Sequence, residues 1–265
     1  FLFVSDRSQT ASVEDVIPEK ITELPVETTN LVADTSVIQE TSSVEEEKPA
    51  TAAGAYTFEG EKLSGWKTDK RWPIASITKL LSAYVAEQLL DPTQNIVIDS
   101  RALETVGDSG EFKLGNMFQV RDLVKSMLMV SSNDAAVALS NYYGSTAFVA
   151  KMQEVARDAG MLNSQFVEPT GLSVQNQSNV EDLVKLVVYI WNQDRNFFDI
   201  TRQTSDLIID PNAGIGKQLF NINQFAGRGD FLGGKTGTLP ESDGNLVSVF
   251  SLPRLGKPVI VVVLV

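Results

Sequence analysis

The sequence predicts an α+β fold in which strands from both ends of the chain join one sheet and helices fill the middle. Three observations predict it. Tyr56-Thr-Phe58 and Lys62 to Lys67 read as an early hairpin. From 76 to 193, apolar residues recur mainly at helical spacing. The chain then closes with two strong strands, Asn245-Leu-Val-Ser-Val-Phe-Ser-Leu252 and Pro258-Val-Ile-Val-Val-Val-Leu-Val265, joined by a short turn. Strands and helices segregated in this way build a sheet with its helices grouped together.

Residues 1–50 stand apart. They hold 11 acidic and 3 basic residues, so −8 of the formal net charge of −12 lies there and −4 in residues 51–265. The segment has no glycine and no sustained period, and it reads as an acidic, disordered linker. Its scattered valines and isoleucines leave a cryptic helix or strand as the alternative. Phe1-Leu-Phe-Val4 reads as the end of an N-terminal membrane helix or signal segment. Four residues cannot span a bilayer, which needs about 20. Residues 51–265 suit one domain with a sizeable core.

Within that domain, Pro73 precedes Ile77, Leu80, Leu81, Tyr84, Val85 and Leu89, a pattern that runs to Asp91-Pro92. It predicts an amphipathic helix with Ser76 in its first turn. Val120 to Val130 reads as a second helix, and Asp134 to Tyr143, closed by Gly144, as a third. Ser145 opens a fourth that Gly160 closes. Ser178-Asn-Val-Glu181 reads as a capping box before Leu183, Leu186, Val187 and Ile190. The run Val259 to Val265 is continuously apolar, so it expects cover on both faces of its sheet. The helical block covers one face. The other is expected to need a helix beyond Val265.

The chain has no histidine and no cysteine. A Ser-His-Asp triad, a thiol nucleophile, a disulfide and a histidine-ligated metal are all excluded. No basic patch suits nucleic acid, no internal repeat appears, and no residue cluster calls for a metal or cofactor. A serine activated here needs another base, and a lysine one helical turn away is the candidate.

Three strings carry the chemistry: Ser76-Ile-Thr-Lys79, Ser131-Ser-Asn133 and Lys235-Thr-Gly237. A lone SxxK means little, since about one match per chain of this length arises by chance at average usage. Ser64-Gly-Trp-Lys67 is such a decoy, because it opens no helix. Ser76 and Lys79 share one helix face, and the helix N-terminus favours a developing alkoxide. The plainer reading is an N-cap serine beside a solvated lysine. Ser131-Ser-Asn133 joins two helical patterns. Its plainer reading is an interhelical turn with Asn133 as cap, although Met127-Leu-Met-Val130 is unusually apolar for a solvated loop. Lys235-Thr-Gly237 lies among extended residues, where glycine permits close approach. A phosphate-binding loop fails there, because the glycine spacing is wrong and no helix follows.

In this order the three strings form the signature of penicillin-binding proteins and class A β-lactamases. From Ala52 to Val265 the chain resembles low-molecular-mass penicillin-binding proteins of the D-alanyl-D-alanine carboxypeptidase type. Pro73-Ile-Ala-Ser-Ile-Thr-Lys79, Ser131-Ser-Asn-Asp-Ala-Ala136, Ala159-Gly-Met161, Glu168-Pro-Thr-Gly-Leu-Ser173 and Gly233-Gly-Lys-Thr-Gly237 carry the likeness. The resemblance implies a β-lactamase/transpeptidase-like fold, an antiparallel sheet of about five strands beside a helical subdomain with the site at their junction. It implies that Ser76 attacks the bond between two D-alanines of a peptidoglycan stem peptide, with neutral Lys79 as base. Ser131 would shuttle the proton and Asn133 would hold the substrate amide and Lys79. Lys235, Thr236 and Gly237 would line the substrate site. Lys235 and Thr236 would grip the terminal carboxylate, while Lys235 lowers the pKa of Lys79. The N–H groups of Ser76 and Thr238 would form the oxyanion hole. β-Lactams are the implied inhibitors. The implied setting is extracytoplasmic, in the periplasm or at the cell surface, with membrane contact only through an N-terminal anchor.

D,D-endopeptidase activity on the same fold stays open. A class A β-lactamase would use a glutamate in Glu-x-x-Leu-Asn. Glu168-Pro-Thr-Gly-Leu-Ser173 has one extra residue and no asparagine, so Glu168 reads as structural. A non-catalytic cell-wall-binding homologue would be expected to lose one of the three strings. The family usually continues past the last strand, and the chain stops at Val265.

Overall fold

The computed structural model describes residues 50–107, 109–253 and 256–265. The acidic segment and its apolar start lie outside these residues. The domain opens with the expected hairpin, β1 (Ala52–Thr57) and β2 (Lys62–Trp66), followed by the short β3 (Trp72–Pro73). A 3₁₀ turn, Ala75–Ile77, then runs into α1 (Thr78–Leu89). Next come β4 (Asn95–Val97), α2 (Ser100–Leu103), β5 (Met117–Gln119) and α3 (Val120–Met129). Helices α4 (Asn133–Tyr143) and α5 (Ser145–Asp158) follow, then β6 (Gln177–Ser178) and α6 (Val180–Gln193). A 3₁₀ turn at Arg195–Phe198 leads into α7 (Asp199–Arg202). The hairpin β7 (Ser205–Asp210) and β8 (Ile215–Phe220) precedes β9 (Phe231–Leu239), β10 (Ser242–Leu252) and β11 (Lys257–Leu264).

The main sheet has the order β2-β1-β11-β10-β9, all pairs antiparallel. First and last strands thus meet at its centre, as the sequence predicts. Register sets the faces. Tyr56, Ile260 and Val249 lie opposite one another, and Ala52, Leu264, Val262 and Val247 extend this core face. Helix α6 packs on β1 and β11, with Val180 against Gly54. On the other face Ala53, Ala55, Leu246, Val261 and Val263 are half-buried. At one end of the sheet Phe225, Phe231 and Phe250 stack with centroids 5.3–6.0 Å apart.

Four local expectations change. Helix α1 has no polar face along most of its length: every residue from Thr78 to Ala86 is buried. It is the central helix, packed by α3, α4 and α5, and a helix surrounded on all sides needs no amphipathic stripe. Its polar residues are satisfied from outside, as when Ser82 Oγ donates to the Pro169 carbonyl at 2.7 Å. At α6 the cap is Asn179, whose Oδ1 accepts from Asp182 N at 2.8 Å. Glu181 turns away to Thr68 and Lys62 at 2.8 and 3.0 Å, so no capping box closes. Ser132, not Asn133, caps α4, accepting from Ala135 N at 3.2 Å. Finally, the middle of the chain is interrupted by the paired short strands β4/β5 and β3/β6.

Candidate active site

Ser76 is displayed by a backbone under constraint. Ala75 before it has φ +50°, a left-handed conformation that costs a non-glycine residue about 1–2 kcal/mol. Two glycines hold the turn from opposite sides. A β-carbon on Gly171 would lie 2.0 Å from the Ala75 carbonyl oxygen and 3.0 Å from Ser76 N. One on Gly237 would lie 2.8 Å from Ile74 O and 3.0 Å from Ser76 N. Gly237 therefore lets β9 approach the turn that carries the serine, so its close approach is to the protein's own backbone. Gly171 was not singled out by the sequence reading. Its signal is the Pro169-Thr-Gly171 punctuation.

Gly237→Ala is expected to overpack this junction at a cost of about 1–3 kcal/mol. That corresponds to a fall of roughly 2–12 °C in melting temperature for a domain of this size. Gly244→Ala, where no neighbour lies within 4 Å, is the control. Equal melting temperatures for the two variants would show that the turn is not wedged.

The three strings converge as two lysine–serine pairs. Lys79 is fully buried, and its Nζ donates to Ser76 Oγ at 2.8 Å and to the Thr170 carbonyl at 2.6 Å. Burial pushes its pKa down to about 7, against an upward pull from the Glu168 carboxylate. Lys235 is equally buried, and its Nζ donates to Ser131 Oγ at 2.9 Å and to the Thr236 carbonyl at 2.8 Å. Burial, and then the charge of Lys79, hold it well below the ordinary lysine range. Ser131 sits at φ +61°, a second constrained residue in the same cleft.

Asn133 is placed differently from the reading that it holds Lys79. Its Nδ2 donates to the Val106 carbonyl at 2.7 Å, while its Oδ1 is buried without a hydrogen-bond partner. Thr236 is half-buried and Thr238 exposed. Both lie on β9, the edge strand on this side of the sheet. Gly234 N turns away from β10 to Thr201 Oγ1, at 2.9 Å. By the two-residue period, the N–H groups of Thr236 and Thr238 also face away from β10. Helix α7 covers the edge at Gly233 and Gly234, and the Thr238 N–H lies beyond that cover.

Glu168 is occupied. Its Oε2 accepts from Thr170 N and Oγ1, each at 2.6 Å. Its Oε1 accepts from Gly171 N at 2.7 Å, Asn176 Nδ2 at 2.8 Å and Ser173 N at 3.3 Å. Those bonds shape the loop that carries the Thr170 carbonyl and Gly171 to Ser76, and they use the carboxylate as a structural acceptor. The hollow of about 530 Å³ lined by Asp199, Arg202, Gly227 and Arg228 takes in none of these residues.

Residues 55–265 match the protein family described as D-alanyl-D-alanine carboxypeptidase. The chain is 39% identical over 120 residues to a D-alanyl-D-alanine endopeptidase of Escherichia coli, covering 44% of the chain and 39% of that protein. It is 34% identical over 194 residues to a D-alanyl-D-alanine endopeptidase of Haemophilus influenzae, covering 71% of the chain and 65% of that protein. The chain thus spans about two-fifths to two-thirds of the length of these curated relatives. A solved D-alanyl-D-alanine carboxypeptidase from Mycobacterium tuberculosis superposes with a TM-score of 0.75 at 25% identity, covering 83% of each chain.

Proposed function

The chain belongs to the D-alanyl-D-alanine carboxypeptidase family, and on that premise we propose that it is a serine peptidase removing the terminal D-alanine from peptidoglycan stem peptides. The observation that carries the reading is the Ser76–Lys79 pair. A buried lysine with a pKa of about 7 is in large part neutral at physiological pH and lies 2.8 Å from the hydroxyl it would deprotonate.

Ser76 Oγ attacks the carbonyl of the penultimate D-alanine as Lys79 takes its proton. The developing oxyanion is met by the N–H groups of Ser76 and Thr238, fixed donors that need no reorganisation. Collapse expels D-alanine, whose amine takes the proton that Lys79 gained, passed on through Ser131, so that Lys79 is neutral again; Ser131 is bonded to Lys235. The substrate carboxylate favours the charged form of Lys235, which with the Thr236 hydroxyl holds it. Water then hydrolyses the ester on Ser76, with Lys79 as base again, because the bonds around Glu168 give it another task. β-Lactams, which mimic the terminal dipeptide, acylate Ser76, and the enzyme works outside the cytoplasm. The acidic segment of residues 1–50 reads as its linker to a membrane anchor.

Endopeptidase activity is a second reading, favoured by the identity to two endopeptidases. Both reactions share the acyl-enzyme and differ in the amine expelled. Two substrates separate them: a stem pentapeptide ending in D-Ala-D-Ala and a cross-linked muropeptide dimer. Release of D-alanine from the pentapeptide is the expected result. Cleavage of the dimer alone would move the assignment to endopeptidase, and turnover of neither would overturn the peptidase reading.

A further inference from the structure

We propose that the loop from Trp66 to Trp72 is a second binding surface for the polymeric substrate, outside the catalytic cleft, and that it holds the acidic glycan–peptide mesh through Trp66, Lys67, Lys70 and Arg71. The proposal rests on the peptidase reading above, which supplies the polymer. Residues 66–72 carry three cations and one acid, a charge of +2 inside a domain of −4. The neighbouring Lys62 is paired with Glu181 at 3.0 Å. Among the described residues, Lys67, Lys70 and Arg71 form no ion pair. Two of them are held by rings instead. Lys67 Nζ lies 4.9 Å from the centre of the Trp66 ring, and Lys70 Nζ 4.7 Å from that of Trp72. A ring orients a cation without neutralising it, so these charges stay available to an anion.

The backbone fixes this display. Thr68 is buried, its Oγ1 donates to Glu181 at 2.8 Å and its carbonyl accepts from Glu181 N at 3.3 Å. The Asp69 carbonyl accepts from Asn179 Nδ2 at 3.2 Å, and Lys70 N donates to the Lys67 carbonyl at 3.0 Å. Lys67 is kept at φ +45°, a left-handed conformation that a lysine adopts at a cost. Trp66, opposite Ala53 on the edge strand β2, is 58% exposed. Trp72 reaches the same end of the sheet, where its Nε1 donates to the Val265 carbonyl at 3.0 Å. Fixed cations beside an exposed indole suit a partner that offers carboxylates together with sugar rings, whose C–H faces pack on an indole. A glycan strand bearing stem peptides has both. The place also fits. The chain from Trp72 to Ser76 spans at most about 14 Å, and an extended stem pentapeptide about 17 Å. A strand held at this loop therefore has its peptides within reach of Ser76, and loop and cleft can be engaged together.

Cosedimentation with purified, insoluble peptidoglycan tests the proposal, run on protein acylated beforehand with penicillin so that the cleft is closed. The triple variant Lys67→Gln, Lys70→Gln, Arg71→Gln is expected to bind about tenfold more weakly, the scale of three exposed charge contacts. Trp66→Ala is expected to bind about threefold more weakly. Wild-type binding should fall as salt rises, and Lys67→Arg with Lys70→Arg should bind as the wild type does. Release of D-alanine from a soluble pentapeptide is expected to be unchanged in all these variants, because the loop holds the polymer and not the reacting bond. Wild-type binding by the triple variant, or an equal loss of its pentapeptide turnover, would overturn the proposal. So would a loss confined to vesicles of phosphatidylglycerol and phosphatidylethanolamine, which would make the loop a membrane contact. A wild-type protein that neither takes penicillin nor turns over the pentapeptide, yet binds peptidoglycan through these residues, would overturn the peptidase reading alone.

Discussion

Incubation with benzylpenicillin is expected to leave a covalent adduct on the wild-type protein and on Ser64→Ala, and none on Ser76→Ala. The two serines head the same SxxK string, and the fold separates them. Ser64 lies on the fully exposed β2. Ser76 sits in a 3₁₀ turn held by Gly171 and Gly237, with a buried amine 2.8 Å from its oxygen. Only the second has a candidate base within reach of its hydroxyl. Intact mass after incubation reads the outcome. An adduct that survives Ser76→Ala and vanishes with Ser64→Ala would remove the basis of the assignment. The adduct on the wild type is also expected to be long-lived, because Glu168 is bonded within its loop and cannot serve as a second base. Turnover of penicillin within seconds would return Glu168 to the chemistry and favour the β-lactamase reading.

Local features were legible in the sequence because their causes are local. The Ser76–Lys79 pair is an i,i+3 relation, so spacing alone finds it. The strand character of Pro258 to Val265 follows from its β-branched run. What sequence spacing does not carry is contact across the chain. Lys235 and Ser131 are 104 positions apart, and only the fold shows that they bond to each other. The Thr170 carbonyl that accepts a second hydrogen bond from Lys79 lies 91 positions from it. The β7–β8 hairpin escaped for another reason. Leu207, Ile208 and Ile209 are consecutive apolar residues, so the strand shows no alternation, since its outward face is apolar as well. Its one usable signal was the turn, Pro211, Asn212 and Gly214 between two extended runs.

Lys79→Arg is expected to abolish acylation within the assay range, a loss of about a thousandfold or more if Lys79 is the base. Arginine stays protonated at any working pH and cannot accept the serine proton. Because Lys79 is fully buried, the larger side chain also crowds its pocket, so Lys79→Met serves as the neutral companion of similar length. Both are expected to fail alike, with melting temperatures showing that each is folded. Lys235→Arg supplies a permanent cation able to grip a carboxylate, and it is expected to retain a measurable fraction of the activity. The pH profile follows from the sign of the shift. Burial lowers the Lys79 pKa to about 7, so the neutral base gains population as pH rises through that value. The wild-type acylation rate should therefore climb between about pH 6 and 8 and then level off, one proton being lost in the step. Whatever residual rate Lys79→Met shows should lack that rise. Lys235→Arg should move this midpoint. Arginine cannot shed its charge and repels the Lys79 ammonium at every pH, which displaces the midpoint downward. Should Lys79→Arg and Lys235→Arg lose the same amount of activity, or should Lys79→Met keep the rise near pH 7, the base would have to be sought elsewhere in the cleft.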